Sequence, residues 1–391
     1  MANKNGNLSA AKNAKKDEFY TQLSDIENEL RHYRDHFKNK TVFCNCDDPY
    51  ESNFVKYFAM NFNTLGLKKL IATCYASSPV MYTQLTFFGE EEILYEDTNK
   101  KPYVIEISEV TDENGDGAVD LTDFELILKK NKPRLLNGNG DFRSDECIEL
   151  LKEADIVVTN PPFSLFREYV AQLIEYDKKF LIIGDLNIIK YKEIFPLFQN
   201  NKMWAGYGFN ITMIFQSPYE NYLDSNKKYV LSKGYDPGKY LKRPKNCWYT
   251  NLPVDYKNEE TILFKHYTKE EYPYYDNYNA IEVPTINDIP CDYDGLMGVP
   301  ISFIGRINTN QFEIVGASDL PETLEGIKPL GKEWIQTYRE QGGTGHYTAN
   351  MKSLAFSARG KNKIIFSRLI IKRRAETNGN QTRRTYNRRA V

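Results

Sequence analysis

A doubly wound α/β sheet carrying a second, smaller domain is the fold class this sequence predicts, and three observations predict it. Short apolar runs alternate with helical patterns through the first half of the chain. Two of those runs end in polar, turn-forming residues, at the strand ends where open α/β sheets gather ligands. Beyond about Leu252 the alternation gives way to tyrosine-rich, turn-rich sequence. At 391 residues the chain is long enough for two or three domains, and 41% apolar with 27% charged side chains is ordinary for a soluble globular protein.

The elements follow in order. The polar leader to Lys16 lacks an apolar core segment, so neither a signal peptide nor a membrane span is expected, and the protein reads as cytoplasmic. A helical pattern covers about 24–37, with Ser24 and Glu27 spaced as a capping box. A first strand at 41–46 ends in Asp47-Asp48-Pro49 and leads into a helix over 53–62. A second strand at 69–75 comes one helix later, the alternation that right-handed crossovers turn into a parallel sheet. From 77 to 132 the alternation breaks, which reads as an insertion, and Asn139-Gly140-Asp141-Phe142 then resumes the sheet. The apolar run 155–159 is a buried parallel strand that delivers Asn160, followed by a helix over 165–175 with Ser164 as its N-cap. Strands at 180–184, near 213–215 and near 247–249 complete the sheet, the last two as an antiparallel edge, with a basic loop at about 218–245 between them. This gives a catalytic domain over 1–252 and a second domain over 253–391.

Asn160-Pro161-Pro162-Phe163 is the most informative stretch. Two successive prolines donate no backbone hydrogen bonds and hold φ near about −65°, so the turn is stiff and its carbonyls serve as acceptors. The Asn160 side-chain oxygen and the Pro161 carbonyl can each accept one proton of an exocyclic amino group, while Phe163 offers a face to a planar base. An ordinary strand-to-helix turn is the alternative.

Net charge is −2, but its distribution is uneven. From Arg359 to the end eleven basic side chains, Arg373 and Arg374 among them, stand against the single acid Glu376. A second stretch interleaves Lys227, Lys228, Lys239, Lys242 and Arg243 with tyrosines, as suits phosphates and unstacked bases; a solvated face is the alternative. The six cysteines are scattered, with no Cys-x-x-Cys pair and no histidine nearby in sequence, so neither a zinc site nor a disulfide framework is indicated.

The Asn-Pro-Pro-Phe run resembles the catalytic loop of amino-group methyltransferases that use S-adenosylmethionine. The order of Asp17-Glu18-Phe19-Tyr20-Thr21-Gln22, Phe43-Cys44-Asn45-Cys46-Asp47-Asp48-Pro49, Asn139-Gly140-Asp141-Phe142, Asn160-Pro161-Pro162-Phe163 and Met297-Gly298-Val299-Pro300-Ile301 resembles the EcoRI-type adenine-specific DNA methyltransferase family across most of the chain. The resemblance implies a Rossmann-like catalytic sheet, a C-terminal target-recognition domain, and methyl transfer from S-adenosylmethionine to N6 of an adenine flipped out of double-stranded DNA. It also implies a cofactor site of Tyr20, Thr21, Cys46, Asp47, Asp48, Pro49, Asp141, Phe142 and Asn160, and a restriction endonuclease as partner. Ser52 and Phe54 depart from the glycines that relatives in the wider methyltransferase superfamily carry after Asp-Pro, and the second strand ends in Thr73-Cys74-Tyr75 without a carboxylate for the ribose. The alternatives are a protein-glutamine N5-methyltransferase and an inactive, methyltransferase-like DNA-binding protein.

One further motif is local. Asp112, Asn114, Asp116, Asp120 and Asp123 fit the spacing of a calcium loop with Gly117 at its sharp turn, the alternative being a turn whose side chains cap the next helix.

Overall fold

The computed structural model describes residues 20–46, 48–74, 102–117, 119–130, 133–216 and 227–374. The leader, Asp47, and the tail from 375, including Arg383, Arg384, Arg388 and Arg389, lie outside the described residues. The chain divides into two compact units, one ending at Val254 and one beginning at Asp255. Among the described residues, no helix is long and apolar enough to cross a membrane.

The first unit is built on one mixed sheet. Its strands are β1 (Tyr20–Thr21), β2 (Thr41–Cys44), β3 (Lys69–Thr73), β4 (Tyr103–Ile107), β5 (Arg134–Leu135), β6 (Ile156–Thr159), β7 (Lys179–Asp185), β8 (Trp204–Ala205), β9 (Ile211–Gln216) and β10 (Tyr240–Thr250). They run in the order β1-β9-β10-β7-β6-β2-β3-β4-β5, with β8 against β10. The four strands β3, β2, β6 and β7 are parallel, and their near-continuous apolar runs are those of strands covered on both faces: Val42, Phe43, Val157, Val158, Leu181 and Ile182 are fully buried. The chain leaves β2 toward β3 on one side and returns through β6 and β7 on the other, so β2 and β6 flank the topological switch point.

Several expectations change here. The stretch 77–132 is not wholly an insertion beside the sheet, because β4 pairs antiparallel with β3 and extends it. Residues 139–142 form a loop; the sheet resumes earlier, at β5. β10 is inserted between β7 and β9, antiparallel to both, so Lys242 and Arg243 lie on a strand rather than in a loop. The first helix is Leu23–Leu30 with Gln22 at its N-cap and no side-chain cap, so the Ser24/Glu27 box does not form. Leu165 rather than Ser164 precedes the helix Phe166–Glu175, and a 3-10 turn over Phe163–Leu165 takes the place of the expected cap.

The second unit holds a five-stranded sheet of β11 (Tyr274–Tyr275), β12 (Tyr278–Glu282), β13 (Leu296–Pro300), β14 (Phe312–Ala317) and β17 (Arg368–Arg373), in the order β11-β12-β13-β17-β14. A hairpin of β15 (Ala355–Ala358) and β16 (Lys361–Ile364) stands apart from it. Met297, Val299, Leu369, Ile370 and Ile371 are buried on the paired strands β13 and β17. Arg368 is no part of a basic surface: its guanidinium, 15% exposed, binds Glu282, itself buried, through Nε at 3.1 Å to each carboxylate oxygen.

Candidate active site

Four parallel strands that end on one edge of a sheet bring their C-terminal residues together, and β10 approaches that edge from the opposite direction. Thr159 is the last paired residue of β6, opposite Ile182, so Asn160 stands one step beyond the ladder. Its side chain is 6% exposed. Pro161 is buried too, and Phe163 is half-buried at the start of the 3-10 turn. The diproline corner is thus packed against the rim of the sheet.

On the other side of the switch point, β2 ends in Cys44 and presents Asn45, Cys46 and Asp48. Asn45 accepts a hydrogen bond from the Tyr169 hydroxyl and a 3.6 Å contact from the Cys46 thiol. Tyr169, buried on the helix after the Asn-Pro-Pro turn, meets Phe142 edge-on at 5.0 Å. Those contacts join the β2 end, the 139–142 loop and the helix that follows the Asn-Pro-Pro-Phe turn through one side chain. Ser52, not Asp48, caps the helix Asn53–Met60, accepting from the Val55 amide at 3.5 Å. The side-chain Nδ2 of Asn53 donates to the Thr21 carbonyl at 2.7 Å, which brings the short strand of Tyr20 and Thr21, both buried, to the same turn.

Asp48 is buried and receives the Tyr103 hydroxyl at 3.0 and 3.1 Å and the Tyr50 amide at 3.0 Å. Burial penalises its charged form and pushes its pKa up to about 6, against the hydrogen bonds that favour the anion. Because the folded state holds that proton more tightly than the unfolded chain, this carboxyl destabilises the fold as pH rises through about 6, by up to roughly 3 kcal/mol. Asp48→Asn is therefore expected to melt higher than the parent at pH 8 and no higher at pH 4. Thermal melts at both pH values check this, and an equal gap at both would contradict it.

The loop 139–142 is held from three sides. Gly140 has φ +71°, and a Cβ there would lie 2.2 Å from the Cys74 carbonyl at the end of β3, so only glycine fits this close approach. Asp141 carries an ion pair with Arg143 at 2.7 Å, and Arg143 in turn reaches Glu168 at 2.7 Å on the helix behind the catalytic turn. The Phe142 ring, 6% exposed, lies under Arg143 at 5.1 Å, and its carbonyl accepts from Gln172 at 3.0 Å. Asp141 and Phe142 thus reach the rim already engaged, the carboxylate by a guanidinium and the ring by Tyr169.

Sequence reasoning missed one contact of the Asn-Pro-Pro-Phe turn. The Arg243 guanidinium lies over the Phe163 ring at 4.4 Å. β10 pairs with β7 through Asn246 opposite Asp185, the last residue of β7, so residues 240–245 extend past that strand's end toward the turn. A bulge between Arg243 and Asn246, with Lys245 at φ +65° and the buried Asn246 donating to the Arg243 carbonyl at 2.6 Å, aims this side chain. Only the antiparallel insertion of β10 reveals it, and no local pattern encodes that. Elsewhere in the basic stretch Lys227, Lys228 and Lys239 are exposed, while Lys242 covers the Tyr229 ring at 4.3 Å. In the second unit Arg373 pairs with Asp294 at 2.8 Å and Arg374 donates to the Thr309 carbonyl at 2.9 Å.

Glu29 was missed as well. This buried carboxylate accepts the amides of Tyr207 and Gly208 at 2.8 and 2.6 Å and the Tyr33 hydroxyl at 3.0 Å, and it ties the first helix to the segment before β9.

The acidic loop caps itself. Asp112 accepts the amides of Gly115 and Gly117 at 2.7 and 2.8 Å, Asn114 accepts that of Asp116 at 2.8 Å, and Asp120 accepts that of Thr122 at 2.7 Å. The buried Asp123 accepts those of Glu113 and Asp120 at 2.7 and 2.9 Å. These bonds are the chemistry of a capped turn leading into the helix Leu121–Lys130, and the strand β4 rather than a helix precedes it.

The family model for the adenine-specific methyltransferase EcoRI matches residues 7–374. The type II methyltransferase M.EcoRI of Escherichia coli is 46% identical over 349 residues, covering 85% of this chain and 97% of its own length. M.MgeORF184P of Mycoplasma genitalium is 38% identical over 81% of the chain, and M.MpnI of Mycoplasma pneumoniae 36% over 81%, each across 88% of the relative. No solved structure matches.

Proposed function

The chain belongs to the EcoRI family of adenine-specific methyltransferases, and from that premise we propose that the rim around Asn160 is where it carries out the family's reaction on DNA. It is an S-adenosylmethionine-dependent DNA adenine methyltransferase that acts on N6. The observation that carries the site assignment is that Asn160-Pro161-Pro162-Phe163 leaves β6 directly beside the β2 end at the switch point.

The residues at hand suit the cofactor. Asn45, Cys46 and Asp48 at the end of β2, Asp141 and Phe142 on the loop pinned to β3, and Tyr20 and Thr21 beside the following helix would hold S-adenosylmethionine. It supplies an electrophilic methyl group when bound. An adenine amino lone pair is delocalised into the ring and is a poor nucleophile, so geometry has to compensate. The Asn160 oxygen and the Pro161 carbonyl accept hydrogen bonds from the two amino protons, which favours a pyramidal nitrogen and fixes its lone pair in line for attack without a general base; the surplus proton leaves the methylated nitrogen to solvent. Phe163 stacks on the extruded base, whose unpairing costs a few kcal/mol that phosphate contacts offset.

Arg243 then has two positions. Its guanidinium covers the Phe163 face and must leave when the base arrives, and Lys242 beside it marks this strand end as a place for phosphate. Arg243→Ala is expected to weaken DNA binding and to lower the slope of log K against log salt by about one. Phe163→Ala should lower turnover and leave that slope unchanged. Binding isotherms over a salt series check both, and an unaltered slope in Arg243→Ala would remove the phosphate role. Lys227, Lys228 and Lys239 are further proposed phosphate contacts of the first unit; Arg373 and Arg374 are separate proposed contacts of the second, which is the proposed target-recognition domain. A restriction endonuclease that reads the same sequence is the proposed partner, because the relatives are named as type II methyltransferases. For the acidic loop, self-capping accounts for the carboxylates without calcium.

A further inference from the structure

His266 and Cys291 are 25 positions apart and share no sequence motif, yet the second unit places them side by side with Asp292. The Cys291 sulfur lies 3.7 Å from His266 Nδ1, and Nδ1 lies 2.9 Å from Asp292 Oδ2. All three donor atoms fall within 4.8 Å of one another, the one such group of histidine, cysteine and carboxylate donors among the described residues. We propose that His266, Cys291 and Asp292 form a binding site for a thiophilic divalent cation of the zinc type.

The separations suit a tetrahedral ion. With bonds of about 2.3 Å to sulfur and about 2.0–2.1 Å to nitrogen or oxygen, neighbouring ligands of a zinc ion stand roughly 3.3–3.6 Å apart. The 3.7 and 2.9 Å contacts bracket that range, and His266 and Asp292 can adjust, since their side chains are 74% and 47% exposed. Thiolate, imidazole and carboxylate together select a borderline-soft ion over calcium or magnesium. A solvent molecule completes the set.

The scaffold behind these ligands is already fixed. The Cys291 amide donates to the Lys265 carbonyl at 2.8 Å, and the segments pair again through the bridge between Lys265 and Pro290. The Tyr267 amide donates to Asp292 Oδ1 at 2.8 Å, which leaves Oδ2 turned to the imidazole. An amide that holds one carboxylate oxygen while the other faces the ion is the second layer that orients metal ligands. Arg373 donates to the Cys291 carbonyl and so anchors the cysteine to β17. Tyr267 lies against Tyr293 at 4.8 Å and Tyr272 at 5.9 Å, a ring cluster that supports the ligand-bearing segment. Binding uses the neutral imidazole tautomer with its proton on Nε2, which frees the Nδ1 lone pair for the ion, and releases the thiol proton to solvent.

The test uses the full chain, stripped by a chelator and titrated with zinc chloride against a chromogenic competitor. One equivalent per chain is expected, with affinity lowered at least tenfold in Cys291→Ser and in His266→Ala. Cobalt(II) in place of zinc should give a thiolate charge-transfer absorption in the parent that is absent from Cys291→Ser. Metal-free melting curves should coincide for parent and variants, since His266 is exposed, so lost binding is not lost folding. No stoichiometric zinc in the parent, or zinc and the cobalt absorption retained in Cys291→Ser, would overturn the assignment.

Discussion

Asn160→Ala should lower the turnover number for DNA methylation by about two to three orders of magnitude, while duplex binding stays within a few-fold of the parent. The effect is large because the side-chain oxygen has no substitute at this position. Asn160 leaves the ladder one residue after Thr159, its side chain is almost wholly buried, and the prolines that follow lock the backbone on which it stands. Without it one amino proton loses its acceptor, the nitrogen stays planar, and the lone pair remains in the ring. Binding is spared because the proposed phosphate contacts lie on β10 and in the second unit. Asn160→Asp keeps an acceptor of similar shape and should retain more activity than Asn160→Ala. Single-turnover transfer of a labelled methyl group, run beside a filter-binding isotherm, separates the two quantities. Near-parent turnover in Asn160→Ala would remove the residue from the chemistry.

Arg368→Ala should destabilise the second unit by about 3–5 kcal/mol, the cost of leaving a buried carboxylate without its partner. Glu282 is 4% exposed on its side chain, and its oxygens are met by Arg368 and by the Tyr275 hydroxyl. Removing the guanidinium leaves that charge inside a sheet whose neighbours Met297, Val299 and Ile370 are apolar and buried. Replacing both partners, as Arg368→Met with Glu282→Leu, should recover most of the loss. Urea unfolding of the single and double variants checks the pair, and a loss under 1 kcal/mol in Arg368→Ala would show that the carboxylate finds other partners. Since DNA recognition is proposed for this unit, Arg368→Ala should lose sequence-specific methylation before it loses cofactor binding.

Much of the first unit was legible in the sequence because its central strands are buried on both faces and therefore read as unbroken apolar runs. The strands ending at Cys44, Thr73, Thr159 and Asp185 fall within two residues of where the pattern put them. The Asn-Pro-Pro-Phe turn was legible for another reason: its stiffness is intrinsic to proline. What escaped depends on pairing between distant segments. β4 is short and follows a break in the alternation, so nothing local announces that it joins β3. The eleven residues of β10 carry two lysines, an arginine, a proline and one tyrosine toward one end and an apolar run at the other, and only the partner strand β9 holds the basic end in the sheet. The stack of Arg243 on Phe163 follows from that pairing, as does the meeting of His266 with Cys291 from a parallel bridge. Charge counting misled at Arg368, where a basic residue in a basic run proved to be the partner of a buried acid.

The central claim is that the methyl donor and the target base meet at the strand ends around β2 and β6. Ultraviolet crosslinking of methyl-labelled S-adenosylmethionine to the full chain, followed by peptide mapping, tests it most directly. Label is expected in the peptides that carry Asn45–Ser52, Asn139–Arg143 or Asn160–Phe163, and Asn160→Ala should not move it elsewhere. Label confined to peptides after Asp255 would contradict the account.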